Sequence, residues 1–397
     1  MIGWQWIALG VLAIATPSLA ASPYRTSGQC AGFPKVTLTT RAGSCVGLVG
    51  SGLGFPRGLV RHGDWLYITD LGARVPNRGR LLRLRLDRPW KPMVLMTKLD
   101  RPGAIVVGDD GFLYIAEAGR IIRVDPGAPD RVDPVVTGLP SDGLHNLPGL
   151  AVAKGGGLFI SLGSASDNCE DDKGRRPQSG RSCPELAEQP PRGSILFVPP
   201  DPPRPAAGRT LDVFATGIRS ALALLQSPDG LLLVASNGRD NIDSVDPRLS
   251  DQKLPHDMLL AVTRGSRHGW PYCFDLARPS PEYPRARCRD FVRPAMLFPA
   301  HAAPLAMLGY RGSAIPVAKG KLVVAYHGYR PAGHRIVAFA TNAMGVPLGR
   351  SIDLVSGWTA VRGLRPQGAP VAMLELADGS ILILEDHNGT LLRLAKS

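Results

Sequence analysis

The six cysteines of this 397-residue chain have the spacing of disulfide partners. The members of each pair stand 15, 14 and 15 positions apart, and the pairs are Cys30 with Cys45, Cys169 with Cys183, and Cys273 with Cys288. No Cys-x-x-Cys or closely spaced Cys/His set in the sequence suits a zinc ion. The pairs therefore predict three short-loop disulfides in an oxidising compartment, each stabilising the fold by about 3 kcal/mol.

Three long polar excursions interrupt the apolar pattern of the sequence, and further chemistry is expected in them. They span residues 164–193, 237–256 and 273–299, and the first and third each contain one cysteine pair. Such loops often carry binding and catalytic side chains because a rigid scaffold holds their ends. The scaffold must come from the segments between them.

Those segments contain a strand pattern that recurs six times. Each copy has an apolar strand, a polar turn with glycine, a second strand and a third strand that often contains arginine, as in GAIVVGDDGFLYIAEAGRIIRVD. Asp-Gly and Gly-Gly turns between apolar strands are typical of hairpins. The first two repeat steps, 47 and 45 residues, match the span of a four-stranded blade. The central strands are expected to begin near Leu66, Leu113, Leu158, Leu231, Leu322 and Ile381.

Six such units predict an all-β fold, a six-bladed β-propeller with disulfide-stapled loop insertions. A unit with two apolar faces is not stable alone, and radial closure of several units removes long exposed edges. An extra strand around residues 36–39 is expected to complete the last blade and close the ring. Loops on one face of a propeller converge on its channel, so distant residues can meet there.

The composition agrees with many short strands and excludes several classes of protein. The 46 Gly and 37 Pro disfavour a helical enzyme. Hydrophobic residues at 44% and charged residues at 20% exclude an acidic, disordered activator. The net charge is +13, but Lys and Arg are dispersed without a basic aromatic stripe, so we expect no nucleic-acid partner.

The first 20 residues have the features of a secretory signal peptide. Residues 1–20 contain no charged side chain, and an apolar stretch precedes Ser18-Leu19-Ala20, a small-residue cleavage pattern. An uncleaved anchor is the alternative. No later apolar run reaches the roughly 20 residues that span a bilayer. We therefore expect a periplasmic or secreted protein, with residues 21–397 as a single propeller domain.

Four stretches resemble the glucose/sorbosone dehydrogenase family of pyrroloquinoline quinone (PQQ) enzymes. They are TGIRSALALLQSPDGLLLVASNGRDNID followed by LPHDMLLAVTRGSRHGWPYC, then CVGLVGSGLGFPRGLV, HNLPGLAVAKGGGLFISLGS, and HAAPLAMLGYRG with VVAYHGYRPAGHRIVAF. The resemblance covers essentially the whole mature chain. It implies a calcium-binding propeller that oxidises a sugar, sugar aldehyde or related alcohol with bound PQQ and passes electrons to a separate acceptor.

The resemblance makes His145 the counterpart of the catalytic histidine, which takes the substrate's hydroxyl proton as hydride leaves for the quinone. A turn histidine bonded to backbone is the alternative. In relatives a carboxylate orients this histidine, whereas Ser164 holds the aligned position here. Asp167, three residues later, is expected to swing in as the catalytic partner. Without a partner the wrong imidazole tautomer would be populated more often.

The resemblance also implies a set of cofactor contacts. Arg219 matches an arginine that contacts the quinone oxygens, a role suited to a permanently charged guanidinium. Ser220 stands where relatives have Asn, so one contact is shorter or lost. Arg330 is expected to clamp a PQQ carboxylate, and Arg365 is a second candidate. For the arginines, a salt bridge or a basic rim is the alternative.

Calcium ligands are implied in the loop that holds Asn237, Gly238 and Arg239. Backbone carbonyls of this loop bind the metal in the family, with Asn237 also close to the cofactor, and hard oxygen ligands suit Ca²⁺. His256 replaces one acid of a pair found in relatives. Asp257, the remaining acid, is expected to order the loop and belong to the metal site.

Two other functions stay open at this point. A calcium-dependent lactonase or other hydrolase could use the same architecture, although the sequence offers few acids at matching blade positions. A non-catalytic binding propeller is suggested by the substitutions at Ser164, Ser220 and His256. The sequence leaves the substrate, the natural electron acceptor and the oligomeric state open.

Overall fold

A computed structural model of the chain describes residues 24–171, 175, 182–200, 205–360 and 370–397. The predicted signal peptide (1–20), the expected start of the domain at residue 21 and the candidate Arg365 lie outside these residues. The described chain is built from β-strands and short 3-10 turns, with no α-helix. Accordingly, no helix in these ranges is long and apolar enough to cross a membrane.

Six antiparallel blades form the propeller, as the repeats predict. The first blade consists of Pro56–His62, Trp65–Asp70, Gly79–Leu84 and Met93–Leu99. The second consists of Ile105–Val107, Leu113–Glu117, Arg120–Val124 and Val132–Thr137. The third consists of Gly149–Val152, Leu158–Leu162, Ser194–Val198 and Asp212–Thr216.

The remaining blades follow the same order of strands. The fourth consists of Ala223–Gln226, Leu232–Ser236, Asp257–Val262 and Met296–Phe298. The fifth consists of Pro304–Gly309, Leu322–Tyr326, Arg335–Thr341 and Pro347–Ser356. The sixth consists of Pro370–Glu375, Ile381–Glu385, Thr390–Lys396 and, from the other end of the chain, Ser44–Gly50.

Short elements decorate the blades. The additional strands are Thr26–Cys30, Phe33–Val36, Thr39–Thr40, Ala206–Ala207, Ser266–Arg267, Cys273–Phe274 and Arg278–Pro279. The 3-10 turns are Gly72–Arg74, Pro184–Ala187, Gly208–Thr210, Ile242–Ser244, Cys288–Asp290, Pro316–Ala318 and Trp358–Ala360.

The second strand of each blade is the predicted central strand. Five of the six contain or begin at the expected residue, and the fourth begins at Leu232 rather than Leu231. Every residue of Leu158–Leu162, Leu232–Ser236, Leu322–Tyr326 and Ile381–Glu385 is buried. These strands pack between neighbouring blades on both faces, which explains why they are continuous apolar runs and not alternating ones.

The strand that closes the ring is not the expected one. Ser44–Gly50 pairs with the last strand, Thr390–Lys396, and completes the sixth blade. Residues 36–39 lie elsewhere: Phe33–Val36 pairs outside Ser44–Gly50, and Thr39–Thr40 adds to the fifth blade. The closing position requires buried residues, and Ser44–Gly50 places four there, whereas Pro34 and Lys35 are exposed.

The three predicted disulfides are present, with Cα–Cα distances of 5.8, 5.9 and 5.8 Å. These lie within the usual range for disulfides. Cys30–Cys45 ties the outer N-terminal strand to the closing strand. Cys169–Cys183 and Cys273–Cys288 staple the first and third polar excursions.

Strand direction decides which connections share a face. Because all four strands of a blade are antiparallel, the loop after each second strand and the connection into the next blade emerge at the same end. We call this end the loop face. The third excursion leaves from the opposite end, but Ser266–Arg267 runs parallel to Asp212–Thr216 of the third blade and carries it towards the loop face.

Candidate functional site

The loop face collects nearly all the residues that the sequence singles out. His145 lies in the connection into the third blade, and Arg219 and Ser220 lie in the connection into the fourth. The loops after second strands carry Asp167 in the third blade, Asn237, Gly238 and Arg239 in the fourth, and Arg330 in the fifth. Strand order therefore gathers residues separated by almost 200 positions.

His145 is half-buried against the end of the third blade's second strand. Its Nδ1 lies 2.9 Å from Ser164 Oγ and 3.2 Å from the Ser164 carbonyl oxygen. The backbone can approach this closely because residue 163 is glycine: a Cβ there would lie 2.4 Å from His145 Cβ. The backbone N–H of His145 also donates to the Ser164 carbonyl, at 3.3 Å.

These contacts fix the imidazole tautomer. A carbonyl oxygen only accepts hydrogen bonds, and the Ser164 hydroxyl donates its own proton to the Ser166 carbonyl at 2.6 Å. Nδ1 must therefore carry a proton and donate to Ser164. The lone pair of the neutral ring is then on Nε2, which has no hydrogen-bond partner among the described residues.

Ser164 thus takes the orienting position of a carboxylate without its charge. Burial lowers the pKa of His145 to about 3, and the charge of Arg219 contributes in the same direction. A carboxylate partner would instead raise the pKa by stabilising the imidazolium. The ring is consequently neutral throughout the physiological pH range.

Asp167 does not orient His145, contrary to the expectation from the sequence. Its Oδ1 accepts from Arg219 Nη2, and its backbone carbonyl accepts from Arg219 Nε at 2.8 Å. Burial raises the pKa of Asp167 despite the opposing charge of Arg219. The buried guanidinium is a stronger partner for this carboxylate than a neutral imidazole would be.

Arg219 also contacts the loop expected to bind calcium. Its Nη1 donates to the carbonyl of Gly238 at 2.7 Å and lies 3.5 Å from the carbonyl of Asn237. The backbone N–H of Asn237 donates to the Ser220 carbonyl at 2.8 Å. The side-chain Oδ1 of Asn237 is buried with no hydrogen-bond partner in the described part of the chain. Several oxygens therefore converge here on a cationic group.

Arg239 was expected to contribute its backbone carbonyl, but its contacts are made by its side chain. The guanidinium is 5% exposed, donates to the buried Glu282, and lies 3.7 Å from Asp167. Glu282 comes from the Cys273–Cys288 loop and was not singled out. An acid between two paired cysteines in a Pro-rich loop was the available signal.

Asp240 connects this cluster to the fifth blade. Its backbone N–H donates to Asp167 Oδ1 at 3.0 Å, and its own Oδ1 lies 3.1 Å from His301 Nδ1. Burial acts to raise the pKa of Asp240, but the hydrogen bond from His301 and the charge of Arg219 outweigh it and the pKa is lowered. We call Asp167, Arg219, Arg239, Asp240 and Glu282 the buried network.

Arg330, the expected carboxylate clamp, is held by an acid of the fourth blade's loop. Its Nη1 and Nη2 donate to the backbone carbonyl and Oδ2 of Asp251, at 2.8 and 2.5 Å. His301 Nε2 lies 2.5 Å from the same carbonyl. The sequence analysis did not identify Asp251 as the partner of Arg330, because the local sequence does not show which arginine a carboxylate in a polar loop will bind.

Asp257 orders the loop, which is one of the two roles expected of it. It is 1% exposed, and its two oxygens accept from the backbone N–H groups of Gly238 and Ala303, at 2.7 and 2.6 Å. Burial raises the pKa of Asp257 to about 6. The carboxylate joins the fourth-blade loop to the connection into the fifth blade.

A second charged group lies between the fifth, sixth and first blades. Asp386 pairs with Arg57 at 3.1 Å and with His327 Nε2 at 3.1 Å. Arg74, from the first blade's loop, is close enough to interact electrostatically with Arg57, Asp386 and His145. Ala73 and Arg74 both have positive φ, 58° and 62°, a backbone that favours glycine. We call Arg57, Arg74, His327 and Asp386 the rim cluster.

No carboxylate-lined metal site accompanies these groups. Among the described residues, one set of three His, Cys, Asp or Glu side chains is close enough to share an ion, and it consists of Cys169, Cys183 and Glu185. Both sulfurs are in a disulfide, so this set is not a metal site. The arrangement that a calcium-dependent hydrolase would use is not found in this part of the chain.

Comparisons with solved structures identify the fold. The holo form of the pyranose dehydrogenase PQQ domain from Coprinopsis cinerea superposes with a TM-score of 0.74 at 18% identity, covering 92% of this chain and 99% of that one. A calcium structure of a carbohydrate-active enzyme of family AA12 from Trichoderma reesei gives 0.73 at 17% identity, covering 96% and 100%.

The PQQ-bound aldose sugar dehydrogenase from Streptomyces coelicolor gives a TM-score of 0.59 at 15% identity, covering 90% of this chain and 100% of that one. The chain has the fold of the PQQ-dependent sugar dehydrogenases. This confirms the structural side of the resemblance seen in the sequence. No protein-family model matches the chain, and comparison with curated proteins finds no matching relative.

On this fold, the loop face combines a neutral imidazole with a free Nε2, a set of converging backbone oxygens and several guanidinium groups. The imidazole can accept a proton, the backbone oxygens suit a hard cation, and the guanidinium groups suit carboxylates. Of the sequence-level candidates, only Arg365 lies outside the described residues.

Proposed function

We propose that the protein is an exported dehydrogenase that oxidises a hydroxyl of a sugar, sugar aldehyde or related alcohol, with PQQ as hydride acceptor and Ca²⁺ as its metal. One observation carries this proposal: His145 is held neutral, with Nδ1–H bound to Ser164 and Nε2 left free. That is the protonation state required of a general base at pH 7.

In the proposed reaction, His145 Nε2 accepts the proton of the substrate hydroxyl while the carbon bearing it loses hydride and becomes a carbonyl. PQQ, when bound, supplies the two-electron acceptor for that hydride. The Nδ1–H donated to Ser164 keeps the ring from rotating as Nε2 becomes protonated.

The residues present fit both groups. The carbonyl oxygens of Asn237 and Gly238 and the unpartnered Oδ1 of Asn237 are hard donors of the kind Ca²⁺ takes. Arg219 would contact the quinone oxygens, and Arg330 would hold a carboxylate of the tricarboxylate PQQ.

The similar structures support the choice of cofactor and substrate class. The Coprinopsis cinerea protein is a pyranose dehydrogenase PQQ domain, and the Streptomyces coelicolor protein is a PQQ-bound aldose sugar dehydrogenase. The Trichoderma reesei protein is described in a calcium form. Export is proposed from the signal-type N-terminus and the three disulfides.

Titration of the mature protein with PQQ, with and without Ca²⁺, tests the proposal directly. We expect binding at micromolar PQQ or tighter that weakens when Ca²⁺ is chelated. With an aldose or polyol panel and an artificial electron acceptor, the loaded protein should then turn over. Absence of PQQ binding at micromolar concentration would refute the proposal.

The variant His145→Gln separates catalysis from binding. Because the glutamine amide cannot accept the proton, turnover should fall by about 10²–10⁴-fold. PQQ affinity should stay unchanged. Wild-type turnover in His145→Gln would remove His145 from the mechanism.

A further inference from the structure

A buried carboxylate that no sequence pattern singled out stands one hydrogen bond behind Ser164. Glu185 is 6% exposed and lies in the Cys169–Cys183 excursion, in the 3-10 turn Pro184–Ala187. Its Oε2 accepts from the backbone N–H of Ala165 at 2.6 Å, and its Oε1 accepts from the backbone N–H of Ser166 at 3.2 Å. The Ser166 hydroxyl donates to the same Oε1.

The turn held by Glu185, residues 164–166, is the turn that holds His145. Ser166 supplies the carbonyl that takes the proton of Ser164 Oγ, at 2.6 Å, so that Oγ is left to accept from His145 Nδ1. Ala165 supplies the carbonyl that accepts the backbone N–H of Leu144, at 2.7 Å. The side chain of His145 and the backbone of residues 144–145 therefore both depend on this turn.

The disulfide fixes where the carboxylate stands. Glu185 follows Cys183 by two residues, and one of its oxygens lies within 4.8 Å of both sulfurs of Cys169–Cys183. Among the described residues of the excursion, the 3-10 turn Pro184–Ala187 that holds Glu185 is the one regular element. The cross-link lowers the entropic cost of placing Glu185 against residues 164–166, because it restricts the unfolded chain.

The arrangement differs from a direct carboxylate–histidine contact in its electrostatics. A carboxylate at Ser164 would orient the ring and also favour its protonated form. Here the negative charge binds the turn, and a neutral hydroxyl and carbonyl touch the ring. Orientation is thereby separated from stabilisation of the imidazolium.

We propose that Glu185 is a positioning residue that fixes the Nδ1–H tautomer of His145 through the turn at residues 164–166. The part of this proposal that concerns turnover rests on the proposed function, whereas the tautomer itself can be observed in the protein without cofactor.

The test compares Glu185→Gln with wild type by nitrogen-15 NMR of the histidine side chains, with His145 assigned from the signals lost in His145→Gln. A glutamine keeps the size of the side chain but replaces one acceptor oxygen by an NH₂ donor, so one or two of the three donors lose their partner. We expect wild type to show Nδ1–H at His145 and Glu185→Gln to show a mixture of tautomers. In the PQQ-loaded protein, kcat should fall about tenfold with KM and PQQ affinity unchanged.

Glu385→Gln is the matched control. Glu385 is also fully buried and also accepts from three donors, the Asn388 N–H at 2.8 Å, the Thr390 hydroxyl at 2.6 Å and the Tyr24 hydroxyl at 3.3 Å. Glu385 lies in the sixth blade and, in the described part of the chain, has no hydrogen bond to residues 144–145 or to the turn at residues 164–166. Its substitution should lower the unfolding free energy as much as Glu185→Gln and leave the His145 tautomer unchanged.

The outcomes separate this proposal from the proposed function. An unchanged His145 tautomer in folded Glu185→Gln overturns the positioning role whatever the activity. A changed tautomer in a protein that binds no PQQ supports the positioning role and refutes the proposed function. If Glu185→Gln does not fold, Ser166→Ala removes a single donor to the carboxylate and should give a smaller change of the same kind; no change there overturns the proposal.

Discussion

The loop face has two charged regions that are built differently. In the buried network, Arg219 and Arg239 are each 5% exposed and are matched by the carboxylates of Asp167, Asp240 and Glu282. In the rim cluster, Asp386 forms an ion pair with Arg57 and interacts electrostatically with Arg74. The same carboxylate is hydrogen-bonded to His327.

The difference indicates two roles: the buried network holds the loops in place before a ligand binds, and the rim cluster attracts an anionic ligand. The cations of the buried network are neutralised before any ligand arrives, so their charges mainly hold loops of the third and fourth blades and the Cys273–Cys288 loop together. The rim cluster has more positive than negative charge, and its Arg74 is exposed to solvent. An anionic ligand should therefore be attracted first by the rim and ordered afterwards by the network.

The largest expected effect is on stability when the network loses its central cation. Arg219→Met should lower the unfolding free energy by about 3–5 kcal/mol, because Asp167 is left as a buried carboxylate without its main partner. Urea denaturation measures this. The corresponding rim variant, Arg57→Met, should cost only about 1 kcal/mol, since Asp386 keeps His327 and the nearby charge of Arg74. Equal losses in the two variants would contradict the distinction.

The pair Arg239–Glu282 should show strong coupling. Each of Arg239→Met and Glu282→Leu removes one member of this buried ion pair and should cost about 3 kcal/mol. The double variant should cost at least about 1 kcal/mol less than the sum, because it leaves neither charge. Chemical denaturation of all four proteins gives the cycle. Additive losses would show that the pair is not a unit.

Arg74→Gln should affect association and not stability. Removing one positive charge from the rim should slow PQQ association a few-fold at low salt, with the difference vanishing near 0.5 M salt as charges are screened. Stopped-flow mixing at several ionic strengths measures this. Arg248→Met is the control, since Arg248 is 88% exposed and pairs only with its neighbour Asp246. A salt-independent loss in Arg74→Gln would instead indicate direct contact.

The smallest expected effect is that of pH on the base. Because the pKa of His145 is lowered to about 3, its ring stays neutral from pH 8 down to pH 5. This group should therefore change kcat/KM by less than about twofold over that range, whereas an ordinary histidine would lose rate below pH 6.5. An acid limb near pH 6.5 that moves to higher pH in Arg219→Met and in Ser164→Asp would show that His145 titrates normally.

The same shift has a consequence for stability. The unfolded chain takes up a proton at His145 near pH 6.5, but the folded chain does not until about pH 3. The folded state is thus disfavoured by this group as pH falls below 6.5, by up to about 1.4 kcal/mol per pH unit. Relative to wild type, His145→Gln should become more stable between pH 6.5 and pH 4.

Much of the scaffold could be predicted because its signals are local. Apolar runs bounded by Asp-Gly and Gly-Gly turns predicted the positions of all six central strands. The spacing of 14 or 15 positions predicted the three disulfide pairs. The closing strand was misplaced because residues 36–39 and Ser44–Gly50 have comparable β-strand character. Burial against the last strand decides between them, and that depends on the far end of the chain.

The site was predictable in its location but not in its pairings. The repeats alone predict which residue types reach the loop face, since strand order and loop position follow from them. The pairings depend on the folded chain: Asp167 binds Arg219, Ser164 accepts from His145 next to the turn held by Glu185, and Arg239 binds Glu282. Each of these contacts joins two segments distant in sequence, and a charged side chain in a long loop takes the partner that burial brings nearest.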